Sequence, residues 1–311
     1  MLRELRAADA PRLVELLKSN FPEEEALLGT RPEGVAKIIH RVFRWDTRLI
    51  LGLLRLAGRP FFRLFIIDAD GGVVATTMLS FSERAGYVSM VMVDAAHRRK
   101  GLARRLLEEA RGATARQGRR YIALDVLEGN APARSLYESI GYRLLRTRAF
   151  FAHEAPSSLT PPRPTPEIRP FRRPDTKSLV EVARRSAPAR VVEVLPVHAS
   201  DITAPRWANR ILDSRSAGWV FDRGRGAEAY VGATTSPLTE AAHLTGPIVG
   251  ESVDPEAAGN LVLTAGAWLA PHSPRRILSM VSEDNERGRA ALEAVGFQRA
   301  LPLLTLYRES A

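Results

Sequence analysis

The chain repeats itself, and that repeat limits its fold more than any other feature. Leu5-Arg6-Ala7-Ala8-Asp9 followed by Leu13-Val14-Glu15 reads like Phe171-Arg172-Arg173-Pro174-Asp175 followed by Leu179-Val180-Glu181. Both segments predict a short strand, an Asp helix cap and an amphipathic helix. Near the end of each half a second pair matches. Asn130-Ala131-Pro132-Ala133-Arg134-Ser135-Leu136-Tyr137-Glu138, ending in Gly141-Tyr142, parallels Asn285 to Glu293, ending in Gly296-Phe297. Two matches in the same order mean one supersecondary unit built twice. Residues 155–167, APSSLTPPRPTPE, carry five prolines and no apolar period, so they read as a semi-extended linker. The expected organisation is a first domain at 1–152, a linker at 153–167 and a second domain at 168–311.

Composition removes several chemistries. The 311 residues contain no cysteine, which excludes disulfides, thiolate metal sites and a cysteine nucleophile. Net charge is +10, and nearly all of the excess lies in the first half. An anionic partner is therefore sought there. Only Lys18, Lys37, Lys100 and Lys177 are lysines; the other basic residues are arginines, whose planar fork suits phosphate. The opening MLRELRAADAPRLVELL has acids early and no apolar core like that of a signal peptide. The most apolar run, Leu49–Ala57, is broken by Arg55 and far shorter than the roughly 20 residues of a membrane span. The expectation is a cytoplasmic protein with no membrane span.

Periodicity predicts helices at 10–19, 101–117 and 131–139, a mainly helical stretch at 33–57, and strands at 61–68, 73–81, 87–93, 121–127 and 142–151. Asp70-Gly71-Gly72 reads as a tight hairpin. Hairpin strands followed by strands alternating with helices give an α/β (α+β) fold around a mixed sheet.

Two segments carry chemistry. In Val91-Met92-Val93-Asp94-Ala95-Ala96-His97-Arg98-Arg99-Lys100-Gly101-Leu102-Ala103-Arg104 a strand ends, a basic loop follows and a helix starts at Gly101. A helix's first turn has free N–H groups and a partial positive charge, so anions bind there. Gly101 lets a ligand approach the backbone, and Arg98, Arg99 and Lys100 add charge. The second segment, NAPARSLYESIGY at 130–142, follows one helix and one strand later.

Together these segments resemble the GNAT acetyltransferase superfamily. Arg98-x-x-Gly101-x-Ala103 is similar to its acyl-CoA pyrophosphate loop, and Asn130 to Tyr142 is similar to its Asn-x-x-Ala-x-x-Leu-Tyr-x-x-x-Gly-Phe segment, with Ala133 as the small residue. The resemblance implies tandem GNAT-like domains and acetyl transfer from acetyl-CoA to a primary amine in a ternary complex, with no metal. It implies that Val91, Met92 and Val93 pair with the pantetheine arm. Backbone N–H groups across Arg99, Lys100, Gly101, Leu102, Ala103 and Arg104 would hold the pyrophosphate, with Asn130 on the pantetheine or the loop. Tyr137 would be the acid that protonates the departing thiolate. The residue-level alternatives are a helix cap for Asn130 and a packing aromatic for Tyr137.

Asp125, five residues before Asn130, is the candidate base; in the family's ribosomal-protein N-terminal acetyltransferases a Glu at a similar position serves so. The alternative is a carboxylate that pins a loop, and Glu83 and Glu128 are lesser candidates. His97 reads as a loop residue and His40 as packing or surface. The second half resembles a degenerate repeat: Leu292 replaces Tyr137, Gly259 keeps no basic neighbours, and acids stand at 254 and 256. Residues 33–65 read as a helix pair on the sheet, a lid over an apolar acceptor, or a membrane-surface element. A longer acyl-CoA donor and a non-catalytic acyl-CoA-binding module are the alternatives. Specific nucleic-acid binding is not expected, and a homodimer is compatible with the sequence.

Overall fold

The computed structural model describes residues 2–3, 6–31, 34, 62–69, 71–160, 164–202, 209 and 213–311. The stretch at 33–57, including His40, lies almost entirely outside them. The chain forms two compact units. The first takes 1–145, 193–196 and 304–311; the second takes 146–192 and 197–303. Each unit thus draws its last strand from the other half of the sequence. The chain's repeat is real at the level of elements, but neither unit is a contiguous half.

In the first unit the strands are β1 (Leu2–Arg3), β2 (Phe62–Ala69), β3 (Gly72–Phe81), β4 (Ala85–Val93) and β5 (Tyr121–Leu127). They lie in that order, and β12 (Gln298–Glu309) runs beside β5. β1 to β4 pair antiparallel, whereas β4 and β5 are parallel. One face packs on α3 (Leu102–Arg116) and α4 (Ala131–Ser139). Leu106, Leu107, Ala110 and Ala113 repeat at helical spacing and are all buried against Ile122, Leu124 and Val88. Gly86 makes that contact close: a Cβ there would stand 2.2 Å from the Thr114 hydroxyl. The other face carries α1 (Ala10–Asn20), which seats Leu13 and Leu16 on Ile66, Val73 and Met92. α2 (Pro22–Leu28) follows and ends at Gly29.

The second unit repeats this plan with β6 (Arg143–His153), β7 (Ile168–Pro170), β8 (Arg215–Phe221), β9 (Ala229–Thr235), β10 (Ala242–Val249) and β11 (Ile277–Ser282). The order is β6-β11-β10-β9-β8-β7, and only β10 and β11 are parallel. Its long helix is α8 (Pro255–Leu269), followed by α9 (Glu286–Ala294). Before the strands come α5 (Thr176–Ser186), α6 (Ala189–Val194) and the short α7 (Ala199–Ile202).

The repeat is exact enough to reproduce an ion cluster. Arg3 donates to both oxygens of Asp9 at 2.8 Å and also pairs with Asp68. Arg169 donates to Asp175 at 2.9 and 2.8 Å and also pairs with Asp222. In each unit the same Asp accepts a backbone N–H at 2.7 Å, from Arg6 or Arg172. This corrects the helix-cap reading of these aspartates: neither side chain caps its long helix. Each instead ties the first strand of its unit to the turn before the helix.

The arginines hold Asp9, Asp175 and Asp222 below the usual carboxylate range, against an opposing push from burial. A lowered carboxylate contributes stability that is present above its unfolded value of about 4 and is lost as pH falls through its folded value. Arg169→Gln is therefore expected to cost about 1–3 kcal/mol at pH 7, between an exposed and a fully buried pair. Urea midpoints at pH 7 and pH 3 check it: the gap between the two proteins should shrink at the lower pH.

Candidate functional site

The parallel pair β4–β5 does not stay paired. Its register runs from Ala85↔Tyr121 to Val88↔Leu124 and stops there. Beyond that point the strands part, so Ser89 to Val93 and Asp125 to Leu127 face each other across a wedge. A bulge sits at the parting. β3 pairs Met78 with Ser89 and Thr76 with Met92, leaving Met90 and Val91 opposite Thr77 alone. Met90 takes φ 55, a left-handed value unusual for its type. Bulges of this kind re-aim the backbone beside active sites.

The wedge opens toward the first turn of α3. Asp94 follows β4, then a single helical turn at Ala95–His97, then Arg98, Arg99 and Lys100, all three exposed. Gly101 sits just ahead of α3 at φ 76, with no described atom within 4 Å of where a Cβ would be. Among the described residues no side chain caps the helix. By contrast α4, α8 and α9 are capped by Asn130, Asp254 and Asn285. The first helical hydrogen bond is Arg105 N–H to the Gly101 carbonyl, 3.0 Å. The N–H groups of Leu102, Ala103 and Arg104 therefore point along the open end of the helix, flanked by three cations.

Neighbours fix this loop. Asp94 accepts from the Ala96 N–H at 2.9 Å, pairs with Arg12 and lies 3.2 Å from the His97 ring. The His97 contact and Arg12 lower the Asp94 carboxyl. His97 thus has a structural partner in the loop. Asn20, at the end of α1, accepts the Val93 N–H at 3.2 Å and a bond from Arg98 at 3.4 Å. Its role was invisible in the sequence, because nothing local links positions 20 and 93.

Tyr137 lies on α4 in the same apolar cluster as Leu102 and Ala103. It is 6% exposed and its ring stands 6.0 Å from that of Tyr142. Burial pushes its hydroxyl up to about 12. Burial raises Tyr142 as well, and the Arg308 guanidinium lies 5.8 Å from its ring. Asn130 accepts the Ala133 N–H at 3.2 Å, which makes it the cap of α4.

Asp125 stands at the first position past the paired part of β5. Its carboxylate accepts the Thr305 hydroxyl at 2.6 Å. Thr305 is fully buried and comes from β12, the strand that the first unit takes from the far end of the chain. The sequence carried no signal for it. Glu83 lies in the turn before β4, at the paired end and away from the wedge. Glu128 is exposed, and its carbonyl accepts from Arg134. Among the described residues no group of His, Asp and Glu could hold a metal ion, and no helix is long and apolar enough to cross a membrane.

The second unit repeats the wedge and closes it. β10 and β11 pair from Ala242↔Ile277 to Leu244↔Ser279 and then part. The bulge recurs: Gly246 and Pro247 stand opposite Val231, and Gly246 has φ 91 where Met90 has its left-handed turn. Pro247 occupies the place of Val91 and has no N–H to offer a ligand. The Asn285 amide donates across the wedge to the Pro247 carbonyl at 2.8 Å. Asp254 caps α8 at 2.8 Å, and Glu256 sits in its first turn. Met280 occupies the place of Asp125, and the fully buried Leu292 that of Tyr137. Both the charge and the donors of the first wedge are gone.

Comparisons with known proteins bear on the family of the first unit and on the fold of the chain. Residues 13–142 match the model described as the acetyltransferase (GNAT) family. No curated protein matches the chain. Among solved structures it is similar to a tandem GNAT protein from the clavulanic acid biosynthesis pathway, at 16% identity and a TM-score of 0.65, covering 100% of this chain and 98% of that one. It is also similar to a GCN5-related N-acetyltransferase from Sphaerobacter thermophilus, at 15% identity and a TM-score of 0.64, covering 100% and 95%. At such identities the likeness speaks for the fold, which is shared over both units. Residues 13–142 therefore belong to the GNAT acetyltransferase family, within a chain that has a tandem GNAT fold.

Proposed function

We propose that the first unit transfers an acetyl group from acetyl-CoA to a primary amine, by direct attack in a ternary complex. The observation that carries this reading is the uncapped, cation-flanked start of α3 at the mouth of the β4–β5 wedge. A pyrophosphate fits the N–H groups of Leu102, Ala103 and Arg104, with Arg98, Arg99 and Lys100 around it. The extended pantetheine arm runs along the parted edge at Val91, Met92 and Val93, the thioester reaching into the wedge.

The amine nitrogen attacks the thioester carbonyl carbon. The tetrahedral intermediate then breaks its C–S bond, and the amide forms. Two protons must move: one leaves the amine and one reaches the thiolate. Asp125 accepts the first, held in place by Thr305. Tyr137 donates the second. With its hydroxyl pushed up to about 12, Tyr137 carries its proton at every physiological pH. The same dry surroundings raise the basicity of the forming thiolate, which narrows the gap the transfer must cross. The second unit, with its wedge closed, is a non-catalytic repeat in this reading.

Release of free thiol from acetyl-CoA on adding amines tests it. The wild type should release thiol only with an amine present. Asp125→Asn should lower kcat by about 10²–10⁴-fold, the range for losing a general base, with the acetyl-CoA Kd unchanged. A variant with wild-type kcat would remove Asp125 from the mechanism. Amine-independent release would point to a hydrolase instead.

A further inference from the structure

The two faces of the first sheet differ. Toward α3 the strands are closed: Leu79, Val88 and Leu124 are at most 1% exposed. On the opposite face α1 seats on Ile66, Val73 and Met92, and these too are buried. The next two rows on that face are half-buried. The register sets Leu64, Met78 and Ser89 in one row across β2, β3 and β4, and Phe62, Ser80 and Tyr87 in the other. Tyr87 pairs with Ala123 of β5, so Asp125, two residues further on, faces the same side. These rows form a floor that runs up to the proposed base. Tyr87 stands one row from Asp125, about 7 Å along the strand, so the body of an amine held at Asp125 falls on this floor.

The chemistry of the floor is apolar and aromatic. Leu64, Met78, Phe62 and Tyr87 supply most of it, and the Ser80 hydroxyl is turned to the Tyr87 carbonyl at 3.3 Å. Of the residues in these two rows Asp125 alone carries a charge. Covering such a floor with an apolar body is favourable, whereas a second ammonium or a carboxylate would lose its water there without gaining a partner from these rows. The second unit fills the matching place from its own chain. Gly218 and Gly232 stand where Leu64 and Met78 do, with Gly232 opposite Thr245 just before the bulge. The Tyr230 ring lies over both: a Cβ on Gly218 would stand 2.8 Å from the ring, and one on Gly232 2.5 Å from its hydroxyl. Tyr230 is buried and donates to the Ile202 carbonyl at 2.7 Å. An aromatic ring thus covers the sheet in the unit whose wedge is closed. The first unit has Thr76 at the place of Tyr230 and supplies no such ring from that position.

We propose that the acceptor is a primary monoamine with an apolar, ring-bearing body, its nitrogen at Asp125 and its body on Leu64, Met78 and Tyr87. This names the acceptor class for the acetyl-transfer reading and rests on that reading.

Thiol release by the full chain at saturating acetyl-CoA tests the proposal, with 2-phenylethylamine, spermidine, glucosamine and lysine as acceptors. 2-Phenylethylamine is expected to show a kcat/KM at least tenfold above each of the other three. Met78→Asp should raise its KM at least tenfold, with the acetyl-CoA Kd within twofold of wild type, which separates a damaged floor from a misfolded unit. The wild-type comparison needs no variant. A polar amine used as well as 2-phenylethylamine would overturn the proposal and leave acetyl transfer standing, and so would an unchanged KM in Met78→Asp. Thiol release with none of the four, while acetyl-CoA still binds, would count against the transfer itself, and the proposal would fall with it.

Discussion

Tyr137→Phe is expected to lower kcat by about 10²–10⁴-fold while leaving the acetyl-CoA Kd within twofold of wild type. The substitution removes one oxygen and keeps the ring. The ring packs with Leu102, Ala103 and Tyr142, so helix α4 and the start of α3 keep their support. What is lost is the proton for the departing thiolate. Steady-state kinetics with calorimetry read the two quantities separately. The hydroxyl is pushed up to about 12 by burial, so its ionisation should not limit kcat below about pH 11. An unchanged kcat would return Tyr137 to the packing role that its burial alone would allow.

The second large effect concerns the end of the chain. Deleting residues 304–311 is expected to destabilise the first unit, although the segment lies at the far end of the sequence. Leu304 and Leu306 are buried in the same cluster as Ile122, Leu124 and Tyr137. Each is worth roughly 2 kcal/mol of apolar burial. Tyr307 packs edge-on against Tyr121 with centroids 6.1 Å apart, and Arg308 donates to Glu108 at 2.9 Å. The Arg111 guanidinium donates to the Ser310 carbonyl at 2.8 Å. Their loss together should remove on the order of 5 kcal/mol, a large part of a domain's stability. Acetyl-CoA binding, a property of the first unit, should then fall even though every residue of its proposed site is still present. Full-affinity binding by the truncated chain would mean that the strand contributes nothing the first unit needs.

The same strand shows where sequence reading stops. Elements made by local periodicity were legible: the helices at 102–116 and 131–139 and the strands β2 to β5 lie within about two residues of their expected bounds, whereas the short first strand lies at Leu2–Arg3, ahead of the segment that predicted it. The uncapped turn at Gly101 was legible too, because glycine, basic residues and a following helix are neighbours in sequence. Long-range pairings were not. Thr305 on Asp125 and Asn20 on Val93 depend on which strand lies beside β5 and where α1 ends, and no local pattern encodes either. The aspartates at 9 and 175 misled for a related reason. Their position before a helix suggested a cap, but a strand arginine outbids the helix N–H groups for them. In the second unit the missing basic residues were visible at once. The blocking bond from Asn285 to Pro247 became readable only once the bulge was placed.

One wedge of this tandem chain is expected to take acetyl-CoA and the other not. Calorimetric titration of the purified protein with acetyl-CoA, beside an Arg98→Glu/Gly101→Glu double variant, tests it most directly. Two carboxylates at the mouth of α3 oppose the pyrophosphate, and glutamate at φ 76 strains the turn besides. One site per chain is expected in the wild type and none in the variant. Two sites, or a site that survives in the variant, would place the cofactor elsewhere and contradict it.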